Sequence, residues 1–106
     1  MITLYIKYTL DPNKLRDFEA YAKALSTPIE RCGGVPAGYY LPTKFAGPVN
    51  AAVGMIDFPS LAAYEKYREK LGADQEAIEI TRRLEASGAL LNEERSFLSC
   101  VPESRR

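Results

Sequence analysis

The chain has 106 residues, and its 14 Lys or Arg balance its 14 Asp or Glu, so one domain of zero formal net charge is expected. Its 46% hydrophobic and 26% charged residues exclude a disordered chain, and the balanced charge argues against a dedicated binder of nucleic acid or anionic membranes. No apolar run reaches the ~20 residues that span a bilayer and no signal peptide is evident, which predicts a soluble, cytoplasmic protein.

The first half of the chain predicts a strand, a helix and a second strand. Residues 2–10 alternate with a period of two, which is typical of a strand. Asp11 and the proline after it predict a helix start, because a carboxylate can cap free N–H groups and proline suits the first helical position. Apolar residues at steps of three and four continue this helix, with a kink or restart at Pro28, to Gly33-Gly34. Residues 35–43 carry two prolines, which indicates an edge strand or a bulged one.

The second half predicts a strand followed by two helices. Residues 49–58 are apolar on both faces, which favours a strand that is covered on both sides. Ser60 lies where a second helix opens, and Gly72 is expected to stop it. Asp74 is expected to cap a third helix that ends at Gly88.

Residues 91–101 complete the pattern as a final strand, and residues 102–106 are expected to form a flexible tail. The order β-α-β-β-α(α)-β with right-handed crossovers predicts a four-stranded antiparallel sheet in the order 4-1-3-2. The helices then lie on one face of the sheet. The predicted fold is therefore α+β and ferredoxin-like, with residues 1–101 as a single domain.

Strands one and three supply apolar residues to both faces of this sheet, although helices can cover only one of them. An exposed apolar face of that size favours a partner. We therefore expect a homodimer in which two sheets pack face to face as a barrel and enclose a cavity. The alternative is a monomer in which a few large side chains fold over the sheet.

The chain contains no histidine, which excludes Ser-His-Asp and Cys-His nucleophiles and the usual nitrogen ligands of haem and zinc. Cys32 and Cys100 fall on opposite edges of the predicted sheet, about 14 Å apart, beyond the ~7 Å limit between Cα atoms for a disulfide. We therefore expect reduced thiols, no metal and no cofactor.

Several short motifs occur in an order that resembles the NIPSNAP family. They are Tyr8 to Leu15, Pro28 to Arg31 with Gly33-Gly34, Gly38-Tyr39-Tyr40, Gly47 to Asn50, Asp57 to Leu61, Asp74 to Glu76, and Arg95. The resemblance covers roughly residues 2–101. It implies the dimeric α/β-barrel superfamily, whose members include cofactor-free monooxygenases, muconolactone isomerases and haem proteins.

The chain departs from the family on one face of two strands. Leu4 and Ile6 stand where the family tends to carry Glu and Arg, and Gly54, Ile56 and Phe58 stand where it tends to carry His, Trp and Tyr. Because these positions share one strand parity, a single face has become aliphatic in each strand. Family chemistry that depends on those polar groups is therefore not expected here.

Five residues are candidates for binding a ligand. Tyr8, Tyr40 and Asn50 each offer a polar tip on a strand, although a strand tyrosine is more often a packing residue. Gly54 is expected to leave space for a ligand beside the sheet. Arg95 could bind a carboxylate through its planar fork, or could pair with one of the two glutamates that precede it.

These observations favour a NIPSNAP-like protein that binds a small apolar or aromatic molecule in a sheet-lined cavity, without a known reaction. The alternative is a cofactor-free monooxygenase or isomerase that acts on a small aromatic or polyketide-like substrate, with Tyr or Glu positioning it. An RNA-binding domain of the same topology is disfavoured, because residues 49–58 lack basic and stacking aromatic side chains.

Overall fold

A computed structural model describes residues 1–102 and 104, and seven elements occur among them. They are β1 (Ile2–Leu10), α1 (Leu15–Arg31), β2 (Val35–Tyr40), β3 (Ala51–Phe58), α2 (Leu61–Ala73), α3 (Gln75–Ser87) and β4 (Leu90–Leu98). The four strands form one sheet in the order β2-β3-β1-β4, and every pair is antiparallel. The predicted ferredoxin-like topology is confirmed. Residues 103, 105 and 106 of the predicted tail lie outside the described residues.

The central strand β1 separates the two faces of the sheet. Its residues Leu4, Ile6, Tyr8 and Leu10 are almost fully buried beneath the helices, as a strict period of two requires. On the opposite face, which we call the open face, the alternate residues are less regularly buried, and Lys7 is exposed. The hydrophobic core therefore lies between the helices and one face of the sheet.

The helices close that face in an uneven layer. Helix α1 contributes Phe18 and Ile29 to the core, both fully buried, and α3 contributes Ile80 and Leu84. Helix α2 buries chiefly Tyr67. No helix among the described residues has the length and apolar character needed to cross a membrane. The cytoplasmic location stays a prediction.

The first helix starts later than its sequence predicts. The Asp11 carboxylate accepts a hydrogen bond of 2.9 Å from the N–H of Asn13, so it caps a turn, and the helix begins at Leu15. The helix also continues through Pro28 without the predicted restart. It ends as predicted at the glycine pair, where Gly33 has a φ of +104°.

The other predictions hold with shifted boundaries. The β2 register slips between Pro36 and Gly38, which confirms the expected irregular edge strand. Helix α2 passes through Gly72 and ends one residue later, because Asp74 then starts α3 directly. Gly88 ends α3 in the left-handed conformation, as predicted. The predicted strands at 35–43, 49–58 and 91–101 are shorter than expected or displaced.

Both cysteines are free, as the sheet order predicts. Cys32 is buried at the end of α1, and Cys100 is exposed after β4. Burial and the nearby Asp74 carboxylate raise the pKa of the Cys32 thiol, which favours the protonated form.

An ion-pair cluster joins the end of α1 to the start of α3. The Arg31 guanidinium donates to both carboxylate oxygens of Asp74 at 2.9 Å and to Glu76 at 2.9 Å. Asp74 also accepts from the N–H of Ala77 at 3.0 Å, which caps α3. These two kinds of contact, the backbone N–H first and Arg31 second, lower the pKa of the Asp74 carboxyl.

Because the folded-state pKa of Asp74 is lowered, its contribution to stability is present above the unfolded-state value of about 3.9 and is lost as the pH falls through the folded value. We expect the free energy of urea unfolding of the wild type to fall between about pH 5 and pH 2, and that of Asp74→Asn to fall less steeply. Glu65→Gln, at an exposed position of α2, should keep the wild-type slope. Parallel profiles for Asp74→Asn and the wild type would contradict this role.

Candidate functional site

Four tyrosines from four different elements meet between the helices and the sheet. They are Tyr8 of β1, Tyr21 of α1, Tyr39 of β2 and Tyr67 of α2, and the side chains of Arg68 and Arg95 lie at the same place. We call this space the tyrosine cavity. Its volume is about 30 Å³, which is enough for one water-sized molecule.

The aromatic rings around the cavity pack against one another. The Tyr8 ring lies 4.8 Å from Phe18 and 6.3 Å from Tyr39 between centroids, and Phe18 lies 5.7 Å from Tyr21. On the other side, Tyr67 contacts Phe58 edge to face at 4.8 Å. These centroid distances and tilted arrangements are the ones that aromatic pairs favour. Aromatic rings therefore form part of the cavity wall, and their hydroxyls are its neutral polar groups.

The hydroxyls remain neutral at physiological pH. Burial is the main cause that raises the pKa of Tyr8, Tyr21 and Tyr67 well above the ordinary tyrosine value, and it raises that of Tyr39 to about 12. The Tyr8 hydroxyl also interacts with those of Tyr39 and Tyr21. Neutral phenols donate hydrogen bonds but do not accept protons, so they suit recognition better than base catalysis.

A row of four residues in register crosses the whole sheet beneath the cavity. Tyr39 pairs with Gly54, Gly54 pairs with Ile6, and Ile6 pairs with Arg95. The Tyr39 ring lies on the Gly54 backbone, where an added Cβ atom would come within 2.6 Å of its Cε1 atom. The sequence predicts free space beside Gly54. That prediction is wrong, because the Tyr39 ring fills the space.

A surface groove lies on the other side of Tyr39. It has a volume of about 440 Å³ between α1 and β2, and its walls include Phe18, Ala22, Ser26, Pro36 and Tyr39. The volume is within the range of small-molecule sites, about 300–1,000 Å³. Tyr39 is thus the wall that separates this groove from the tyrosine cavity.

The structure brings together only some of the predicted site residues. Tyr8 and Arg95 line the cavity, and Gly54 lies beneath Tyr39. Tyr40 pairs with Val53 and is 56% exposed, on the face away from the cavity, and it lines the α1–β2 groove instead.

Asn50 does not line the cavity either. It lies just before β3, and its backbone carbonyl accepts a hydrogen bond of 2.8 Å from the N–H of Leu10. Of the two alternatives for Arg95, the ion pair is observed, since its Nε donates to Glu93 at 2.8 Å.

The sequence did not point to Tyr21, Tyr39 or Tyr67. Tyr21 and Tyr67 occur in helical patterns that any core would show. Tyr39 and Tyr40 are adjacent, so the strand register alone decides which of them faces the helices. The shift between Pro36 and Gly38 sets that register. The available signal was the glycine at position 54, since a strand glycine indicates the close approach of another group.

Among the described residues, no group of three or more Cys, Asp or Glu side chains is arranged to hold a metal ion. The carboxylate beside the cavity, Glu93, is paired with Arg95. The site therefore offers neutral hydrogen-bond donors, aromatic surface and the guanidinium groups of Arg68 and Arg95.

Comparison with known proteins identifies the relatives of the chain. The sequence pattern of the NIPSNAP family matches residues 4–105. The chain belongs to the NIPSNAP family. No curated protein matches it in sequence.

Solved structures of NIPSNAP proteins share this fold. An uncharacterised NIPSNAP-like domain protein from Burkholderia xenovorans is 24% identical, with a TM-score of 0.81 over 99% of this chain and 89% of its own. A NIPSNAP family protein from Agrobacterium tumefaciens is 22% identical, with a TM-score of 0.80 over 97% and 95%. A protein described as an antibiotic biosynthesis monooxygenase is 13% identical, with a TM-score of 0.65 over 96% and 100%. At these identities the likeness shows the fold alone.

The contact between Tyr39 and Gly54 predicts a specific mutational effect. Gly54→Ala should lower the free energy of urea unfolding by about 1–3 kcal/mol, because the new methyl group collides with the Tyr39 ring. In a Tyr39→Ala background the same change should cost almost nothing, which gives a large coupling in the double-mutant cycle.

Gly72→Ala is the matched control, because nothing lies within 4 Å of its added Cβ atom. It lies inside α2 and should raise stability by about 0.5–1 kcal/mol. If Gly54→Ala remained equally costly without the Tyr39 ring, the strand backbone and not the ring would require glycine.

Proposed function

We propose that this NIPSNAP protein binds a small apolar or aromatic molecule in the tyrosine cavity, and that the Tyr39 ring moves into the adjoining groove to admit it. The observation that carries this proposal is the position of Tyr39, whose side chain is a wall of both spaces. A ligand ring would take the place of the Tyr39 ring on the Gly54 backbone, beside Ile6.

The volumes support this exchange. The cavity of about 30 Å³ holds no aromatic molecule while Tyr39 covers Gly54, whereas the groove of about 440 Å³ can take a phenol ring. Tyr39 also belongs to an edge strand whose register is already irregular. Movement of its side chain leaves the backbone hydrogen bonds of the sheet intact and gives up only the interaction between the Tyr39 and Tyr8 hydroxyls.

The chemistry of the site favours binding over catalysis. Its tyrosines have raised pKa values and remain protonated, and the adjacent carboxylate of Glu93 is paired with Arg95. No group there is set to remove a proton from a substrate. The monooxygenase or isomerase alternative therefore has no support from the residues of this cavity.

The test uses 2-naphthamide, a neutral aromatic probe, and follows backbone amide shifts by NMR. We expect the largest shifts at Ile6 and Gly54. Ala22→Phe should weaken binding about tenfold or more, because its side chain fills the groove that Tyr39 must enter. Ser26→Phe obstructs the same groove from a half-buried position. It replaces Ala22→Phe in the test, with the same expected result, if that variant is unstable.

Ala62→Phe, at an exposed position of α2, adds the same side chain outside the groove and should bind as the wild type does. If 2-naphthamide left the amides of Ile6 and Gly54 unchanged, or if the groove-filling and control variants bound it equally, the proposed site would be wrong.

A second copy of the chain is the proposed occupant of the open face. Tyr5, Val53 and Met55 lie in the middle of this face, half-buried, and Val35 and Leu98 at its edges are 57% and 47% exposed. These side chains form an apolar surface around Lys7, and an exposed apolar surface of this extent is typical of one that another sheet covers. The family resemblance to dimeric α/β barrels supports the same arrangement.

Light scattering at micromolar concentration should therefore give twice the mass of the chain. The interface of such a dimer is expected to bury about 1,200 Å² or more in total. Val53→Lys should shift the mass to that of a single chain, because it places a charge beside Lys7 at the centre of the face. Lys66→Glu on the helical side should remain dimeric. A wild type with the mass of one chain would refute the dimer.

A further inference from the structure

Arg95 occupies an unusual position for a charged residue on an edge strand. It lies on β4 in register with Ile6, so its side chain lies on the helix face of the sheet and lines the tyrosine cavity. The side chain is only 37% exposed. The aliphatic stem of an arginine can pack against apolar surface while its guanidinium stays accessible, so a partly covered Arg95 keeps N–H groups that another acceptor can reach.

The ion pair with Glu93 satisfies only part of this guanidinium. Its Nε donates to Glu93 Oε2 at 2.8 Å, and no other hydrogen bond of Arg95 occurs among residues 1–102 and 104. A guanidinium has five N–H donors in a planar fork, so the edge formed by its two Nη atoms remains for another acceptor. A carboxylate is the acceptor whose two oxygens fit such an edge.

The surroundings of Arg95 also favour an anion. The hydroxyls of the cavity are neutral and can donate, and the charge of Arg95 reaches them, since it acts to lower the pKa of Tyr21, Tyr39 and Tyr67 against the dominant effect of burial. Arg68 adds a second positive charge at the same cavity. Glu93 is the acidic side chain that opposes them.

The dimensions of the cross-sheet row fit a short aromatic acid. Gly54 and Arg95 lie two strands apart, which places their backbones about 9–10 Å from each other. A ligand whose ring lies against the Gly54 backbone therefore places its carboxylate above Ile6, within reach of the long Arg95 side chain.

We propose that Arg95 is the specificity-determining residue of this site and that the ligand is an aromatic or apolar carboxylic acid, whose carboxylate binds the Nη edge of Arg95. This inference rests on the proposed function, because it assigns the acidic group of a ligand whose ring lies in the tyrosine cavity. Glu93 holds the guanidinium through Nε and leaves its outer edge available.

The test compares 2-naphthoate with 2-naphthamide, which have the same ring system and differ in charge at neutral pH. The wild type should bind the acid about tenfold more tightly than the amide, because the carboxylate carries a negative charge and two acceptor oxygens, whereas the amide offers one neutral carbonyl oxygen. Arg95→Gln should abolish that preference, because it weakens binding of the acid far more than binding of the amide. Arg95→Lys should keep part of the preference, because it retains the charge without the fork.

Glu93→Gln should raise the affinity for the acid, whereas Arg95→Gln lowers it. It removes the opposing charge while its amide oxygen can still accept from Nε, so the acid should bind about threefold more tightly and the amide as before. A purely structural ion pair predicts that both substitutions weaken both probes alike. Circular dichroism of each variant checks that the fold is retained.

The outcomes separate the two proposals. Equal binding of acid and amide, unchanged by Arg95→Gln, would overturn the role of Arg95 and leave the binding function intact. Absence of binding by both probes would refute the binding site itself, and the inference with it.

Discussion

The Tyr39 ring on the Gly54 backbone is the contact on which the arrangement of the site depends. A Cβ atom at position 54 would come within 2.6 Å of Cε1, so no other residue type at this position allows the ring to lie there. With the ring in place, the tyrosine cavity and the α1–β2 groove are separate spaces. Without the Tyr39 ring, the cavity and the groove would be one continuous space lined by aromatic side chains. Glycine in the middle of a strand lowers its intrinsic stability, and this close aromatic packing offsets that loss.

The fold could be predicted because each of its determinants acts locally. The alternation in residues 2–10 and the caps at Ser60 and Asp74 specify their elements through contacts within a few residues. The predicted start of α1 was wrong for the same kind of reason. The Asp11 carboxylate has two local uses, a helix cap or a turn, and it accepts from Asn13 in a turn.

The site was harder to predict because it depends on register between strands that are distant in sequence. A shift of one residue in β2 exchanges the faces of Tyr39 and Tyr40, and the irregularity at Pro36 and Gly38 sets that shift. Sequence analysis therefore selected Tyr40, which faces away from the cavity. Arg95 was selected for its chemistry alone, and only the register with Ile6 places it beneath the helices.

The replacement of polar groups on two strands has a physical consequence for what the cavity can do. Leu4, Ile6 and Ile56 form an aliphatic floor, so the polar atoms of the site come from the tyrosines, from Arg68 of α2 and from Arg95 of the edge strand β4. Hydroxyls held neutral by burial lose little when they exchange hydrogen-bond partners, so the guanidinium groups of Arg68 and Arg95 are the groups that distinguish a charged ligand from a neutral one. Such a site gains selectivity from its charged groups. In the proposed binding mode, apolar contact with the floor and the rings holds the ligand whatever its polar group, and the charge at the edge then discriminates between acid and amide.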